Sequence, residues 1–495
     1  MLSRRSSRAV LPATVLILAG LIVCLSGCER ARYSGSDSMR EFSEHLDRTV
    51  PALMRRYDVP GAAIAVVRGG VPVWSAAYGY ADRESRAPLT IESVFQVGSI
   101  SKPVTAWGVM RLAERGVIEL DAPVSRYLRM WELPASSFNL DGITVRRLLS
   151  NTAGMPLGSF GNEYAPWDDV PTLTESLSRE ARLTREPGAA FSYSNVGFNL
   201  LELVIEQVSG EDFSAFMTSE VLAPVGMDHA SFSWSESMHP AIATGHNLSG
   251  TRVPVYVYPE KASGGLFSDV AGIARFVAAG MTAGPSDRSV VIDSSSRDLL
   301  YSPVAEIRGI FGVVSDSYGL GHFIENLPGG QRAVWHGGQG NGWMSHFHSV
   351  PETGDGIVIL TNSQRSWPVM ARILGDWARW SGLGTVAFAR ISVAVTVLWV
   401  AVVLGAVAVL AAAVYVVRGV VTGERSFDPF CARAWTVRAA GLAVALVVIG
   451  SIVWASAQPY LMVTSVFPGV TDWAAIVLLA LAVPLIAAAL FPRRA

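Results

Sequence analysis

Gly98-Ser99-Ile100-Ser101-Lys102 is the stretch from which the rest of the chain is read. A serine and a lysine at i and i+3 of a helix lie on one face, one turn apart, where a neutral or proton-sharing amine can take the hydroxyl proton. Arginine could not serve there, because a guanidinium with a pKa above about 12 does not act as a base. The composition sharpens the point: among 495 residues only Lys102 and Lys261 are lysines, against 37 arginines. Lys261 has Tyr258, not a serine, three residues upstream and reads as a solvated surface charge.

A chain of this length exceeds what one hydrophobic core serves, so two or three units are expected. Its apolar residues are unevenly spread. Residues 391–417, 439–457 and 474–490 are three runs nearly free of charge, each about long enough to cross a hydrocarbon core of about 30 Å. None carries an ionisable residue away from its ends, so the region 386–495 reads as an anchor in membrane lipid rather than a transport path. The formal net charge of −2 says nothing useful about partners, but with no basic stripe and no nucleic-acid motif, nucleic acid is not expected as one.

At the amino end, Arg4, Arg5 and Arg8 precede an apolar stretch, 9–23, in the layout of a signal peptide over 1–28. Its ending, Leu25-Ser26-Gly27-Cys28, resembles the lipobox of bacterial lipoproteins and marks Cys28 for lipidation; an uncleaved signal anchor is the alternative. Residues 29–385 are then exported. The loop between the first two spans carries Arg418, Arg425, Arg433 and Arg438, the next loop has no basic residue, and the tail ends Arg493-Arg494. Positive loops stay inside, which gives a multi-pass topology in agreement with export. Only Cys24, Cys28 and Cys431 occur, so the exported part has no internal disulfide and no thiolate zinc cage.

Within the exported part, 62–67 and 71–78 are β-rich runs joined by Arg68-Gly69-Gly70, a hairpin. A helix is expected from Ser101 to about Arg115 with Gly116 as its stop, and a second over 195–209 ending at Gly210. Late in the domain 343–350 and 356–361 form another hairpin. Strand pairs at both ends around a helical middle predict an α+β fold: one antiparallel sheet built from both ends and flanked by helices, an inserted helical subdomain, then three transmembrane helices.

Two further motifs follow the Ser-x-x-Lys pair in order, Tyr193-Ser194-Asn195 before the second helix and His336-Gly337-Gly338 just before the closing hairpin. With Leu148-Leu149-Ser150-Asn151-Thr152-Ala153-Gly154, Pro187-Gly188, Pro224-Val225-Gly226-Met227 and Ser263-Gly264-Gly265-Leu266, they make residues 40–385 resemble the serine β-lactamase and penicillin-binding protein superfamily. The similar branch holds class C β-lactamases, D,D-carboxypeptidases, D-aminopeptidases and esterases. The resemblance implies a Ser99 nucleophile and a base made of Lys102 and Tyr193, each depressing the other's proton affinity, with the holder of the proton left open. It implies Asn195 as a substrate-amide contact that also steadies Lys102. His336 and Gly338 stand in the third motif, and the backbone N–H groups of Ser99 and Gln339 face each other as an oxyanion hole.

Where the superfamily often has Lys-Thr-Gly, position 336 is histidine, largely neutral near pH 7, which weakens the case for a carboxylate-bearing substrate. His346 and His348 share a strand face, but no third ligand accompanies them, and neither metal nor cofactor is implied. The expectation is a membrane-anchored serine hydrolase on the extracytoplasmic side of a bacterial membrane, acting on cell-wall peptide, a β-lactam or an ester. The alternative from another class is a low-turnover β-lactam or peptidoglycan sensor acting through its spans.

Overall fold

Eight residues, Gly61–Arg68, form a strand (β1) with seven side chains buried, and so apolar a run needs cover on both faces. The computed structural model describes residues 38–158, 163–238, 242–284, 291–458 and 462–494; the expected signal segment and Cys28 lie outside them. β1 turns through Gly69 and Gly70, both at positive φ, into β2, Val71–Asp82, and a short β3, Ala87–Pro88. The later strands are β4 (Ala305–Glu306), β5 (Ser317–Tyr318), β6 (Phe323–Asn326), β7 (Arg332–Gln339), β8 (Met344–Val350) and β9 (Asp355–Thr361). They join one nine-stranded sheet in the order β3-β2-β1-β9-β8-β7-β6-β5-β4.

β1 pairs antiparallel with β9, Ala62 opposite Thr361 and Ile64 opposite Ile359, so the two ends of the domain close one antiparallel sheet. The fold is α+β, as expected. The sequence reading differs from the structure in the late strands: β4, β5 and β6 were not anticipated, and His336-Gly337-Gly338, ahead of the closing β8–β9 hairpin as expected, is itself part of a strand, β7. The first two unanticipated strands are two residues each, too short to show an alternation.

Helix α1 (Met39–Tyr57) begins with a capping box, Ser38 and Glu41 satisfying each other's backbone N–H, and buries Phe42, Leu46 and Val50. Its Phe42 ring stacks on Trp380 at 4.5 Å of a later helix, Trp367–Trp380. Between β3 and β4 lies the mainly helical insert, including α2 (Ser101–Glu114), α3 (Asn195–Ser209) and α4 (Val270–Ala279). α2 is buried at eleven of its fourteen positions. α3 starts on a Ser194 side chain that accepts from Gly197 N and stops at Gly210 in the left-handed region.

Two compact units divide the chain, Tyr33–Arg390 and one that contains Ile391–Ala495. In the second, the helices Arg390–Val421, Trp435–Ser456 and Val470–Leu490 are long and apolar enough to cross a membrane. Each begins ahead of its expected apolar run because helical hydrogen bonding extends into the preceding residues. The loop after the first of them and the carboxyl tail meet at one end: Arg425 Nη1 donates to Phe491 O at 2.8 Å, Asp428 N to Leu490 O at 3.0 Å, and Arg438 Nε to Ala489 O at 2.8 Å. The arginine-rich loop and the carboxyl tail therefore lie at the same end of this helical unit.

Candidate active site

The site is assembled where the turn before α2 meets β7, the start of α3 and the 261–266 segment. Gly98 takes φ +53°, open to glycine at little cost, and a Cβ there would come within 3.0 Å of Gln339 N. The backbone ahead of Ser99 thus rests directly on the end of β7. Gly338 is tighter: its Cβ would meet Val97 O at 1.9 Å and Ser345 Oγ at 2.3 Å, and Ser345 Oγ already donates to Val97 O at 2.7 Å. Gly338→Ala is expected to push β7 off the nucleophile turn. Any Ser99 acylation should slow on the order of 10²-fold, as small misplacements do, in stopped-flow adduct formation.

Ser101 is buried; it donates to Gly98 O at 2.6 Å and accepts from Leu266 N at 3.0 Å. This pins the nucleophile turn to the 261–266 segment. Lys102 is fully buried. Its Nζ lies 3.1 Å from Ser99 Oγ, 2.7 Å from Asn195 Oδ1 and 2.8 Å from Ser263 O. Two of those partners only accept. A neutral amine has two N–H bonds to give, to Asn195 and Ser263, and its lone pair is then left for the Ser99 hydroxyl.

Burial drives the Lys102 amine well below its ordinary range, and among the described residues no carboxylate pairs with it. Tyr193 reaches the same point from the start of α3, its hydroxyl hydrogen-bonded to Ser99. The residue is half-buried, but its hydroxyl end is enclosed, and burial pushes the phenol upward, partly offset by the Ser99 bond. The two groups thus move apart: desolvation favours the neutral amine and the protonated phenol. The expected mutual depression is corrected to opposite shifts with one cause. Phe311 and Phe323 flank the Tyr193 ring at 5.7 and 6.1 Å, and Lys102 Nζ lies 4.9 Å from its centroid.

Asn151 sets the height of Tyr193. With φ +55° it accepts at its carbonyl from Ser192 N at 2.8 Å and at Oδ1 from Ser194 N at 2.9 Å, holding both neighbours of the tyrosine. His336 is placed differently from a substrate contact. It is 1% exposed, its Nδ1 lies 2.8 Å from Gly337 O and its Nε2 3.3 Å from the Tyr318 hydroxyl. Burial, then the nearby Lys102, drives it well below its ordinary value. It is a neutral group behind Tyr193, not a charge offered to a ligand.

His346 and His348 do share a face, Nε2 to Nδ1 at 3.4 Å, buried beneath Trp335. Lys261 is less solvated than expected, its Nζ 3.2 Å from Asp212. The contact that sequence reasoning missed is the Ser263 carbonyl. The Ser263-Gly264-Gly265-Leu266 stretch was the available signal, but a backbone acceptor leaves no trace in residue identity.

A serine within hydrogen-bonding reach of a fully buried lysine, with a tyrosine beside it, is the arrangement of a serine hydrolase of the β-lactamase and penicillin-binding protein type. The chain belongs to the Beta-lactamase family, whose sequence pattern matches residues 46–376. It is 26% identical over 345 residues to penicillin-binding protein 4* of Bacillus subtilis (strain 168), covering 65% of this chain and 72% of that one. It is 24% identical to protein flp of Staphylococcus aureus (strain N315), covering 64% of this chain and 63% of flp, so it spans less than two thirds of that relative. Among solved structures, the octameric penicillin-binding protein homologue from Pyrococcus abyssi superposes with a TM-score of 0.57 at 27% identity, over 65% of this chain and 73% of that chain. SurE gives 0.58 at 25%, over 70% and 78%.

Proposed function

We propose that the chain is a membrane-anchored serine hydrolase that cleaves an amide or ester through an acyl-enzyme on Ser99, of penicillin-binding-protein or esterase type, with its catalytic domain outside the cytoplasm. The observation that carries this reading is the buried Lys102 amine, with two contacts taken by acceptors and the third on Ser99 Oγ.

In this reading the amine takes the Ser99 proton as Oγ attacks the carbonyl carbon. The ammonium that forms is held by Asn195 Oδ1 and Ser263 O and faces the Tyr193 ring. The oxyanion faces the N–H groups of Ser99 and Gln339. Tyr193, still protonated, gives its proton to the leaving nitrogen or oxygen and recovers one from Lys102. Water then attacks the ester, its proton passing to the Lys102 amine, and as the bond to Ser99 breaks the amine returns that proton to Oγ and the acid is released.

The buried, neutral His336 supports substrates that do not depend on an ammonium at the third motif, so esters and amides lacking a free carboxylate are favoured over penicillins. Anchoring by the three apolar helices, the outward placement of the catalytic domain and lipidation of Cys28 belong to the same proposal. The test is the full chain in nanodiscs, incubated with a fluorescent penicillin, a p-nitrophenyl ester and a D-amino-acid anilide, with intact mass read over time. Transient adducts with product release, fastest for the ester, are expected. An adduct that persists for hours without product would replace hydrolysis by sensing.

A further inference from the structure

Glu202 lies seven residues after Asn195 on α3, two turns on and on the same face. It is 1% exposed, and burial pushes its carboxyl up to about 8, against the two amides it accepts from. A carboxyl so costly to bury calls for a reason, and the mechanism above does not use it. Its Oε2 accepts from both Lys261 N and Ala262 N at 2.7 Å. The carbonyl just after that pair, Ser263 O, is the one that accepts from Lys102.

The other side of the segment is braced as well. Thr105 Oγ1, one turn beyond Lys102 on α2, donates to Ala262 O at 3.1 Å, and Gly265 N donates to Lys261 O at 2.7 Å. The second Glu202 oxygen is left without a partner among the described residues. Glu202 borders a cavity of about 440 Å³ whose wall includes none of Ser99, Lys102, Tyr193, Asn195 or Gln339. Glu202 therefore does not touch the reacting atoms; its connection to them runs through the 261–263 backbone.

We propose that Glu202 is a positioning residue that holds the Lys261–Ala262 peptide so that the Ser263 carbonyl stays on Lys102, and that it acts by reach rather than by charge. α3 then orients the amine twice, through Asn195 directly and through Glu202 by way of the loop. Glu202→Gln keeps an oxygen at the same distance, whereas Glu202→Asp keeps the charge and withdraws the oxygen by one methylene.

The chain's lysine count makes the test direct, since protein labelled with [13Cε]lysine shows two signals and Lys261→Arg assigns them. Glu202→Gln should keep the Lys102 shift and titration midpoint, and acylation within about twofold of wild type. Glu202→Asp should displace the Lys102 signal and lower the maximal acylation rate roughly tenfold at unchanged half-saturation. An unmoved Lys102 signal in Glu202→Asp, or an equal displacement in Glu202→Gln, overturns the proposal. If Glu202→Asp does not fold, Thr105→Val loosens the same segment from α2 and is judged by the same signal. The kinetic arm rests on Lys102 activating Ser99; the resonance arm reads Lys102 whether or not Ser99 is acylated, so the two readings fail separately.

Discussion

With Ser99→Ala, no covalent adduct forms with any acylating probe, and ester turnover falls to the rate of the uncatalysed solution. The loss is complete rather than partial because the hydroxyl is the atom that bonds to the substrate, and among the described residues no other hydroxyl is hydrogen-bonded to the Lys102 amine. Removing one oxygen from a half-buried position should leave the fold intact, since the turn is held by Ser101, Val97 and Ser345 through bonds that do not involve Oγ of Ser99. Intact-mass spectrometry of wild type and variant side by side, with matched thermal melts, checks both halves. An adduct on the alanine variant would move the nucleophile elsewhere.

Lys102→Met should slow acylation by roughly a hundredfold or more, the usual cost of losing a general base, while half-saturating ester concentration changes little. Methionine replaces the apolar stem but not the amine, so Asn195 Oδ1 and Ser263 O lose their donor. Each buried acceptor left unpaired costs about 1–3 kcal/mol, and the melting temperature should fall as well. The sign on pH follows from burial: the working form is the neutral amine, so acylation is flat above the depressed Lys102 pKa and declines as acid protonates it. Single-turnover rates across pH distinguish this from a Tyr193 base. A phenol pushed above its ordinary value would instead make acylation climb at alkaline pH.

What the sequence made legible was what residue identity encodes. The Ser99-Lys102 spacing, the 195–209 helix with its glycine stop, the two hairpins and the three apolar runs each carry a pattern of side chains. Relations made by the backbone were hidden: the Ser263 carbonyl on Lys102, the contact of Gly98 and Gly338 with neighbouring chain, and the two-residue strands ahead of β6. Burial was hidden too. His336 read as a largely neutral group in a substrate motif, and its enclosure behind Tyr193 and Tyr318 left no mark in the sequence. The same blindness affected the tyrosine and lysine, whose opposite shifts arise from desolvation that no motif records.

The most direct test of a neutral Lys102 activating Ser99 is to titrate its 13Cε signal in the full-length protein and to measure, on the same preparation, the pH dependence of the acylation rate. One midpoint, shared by both curves and well below that of an ordinary lysine, is the predicted result. A Lys102 that remains charged throughout the pH range in which Ser99 is acylated would contradict it.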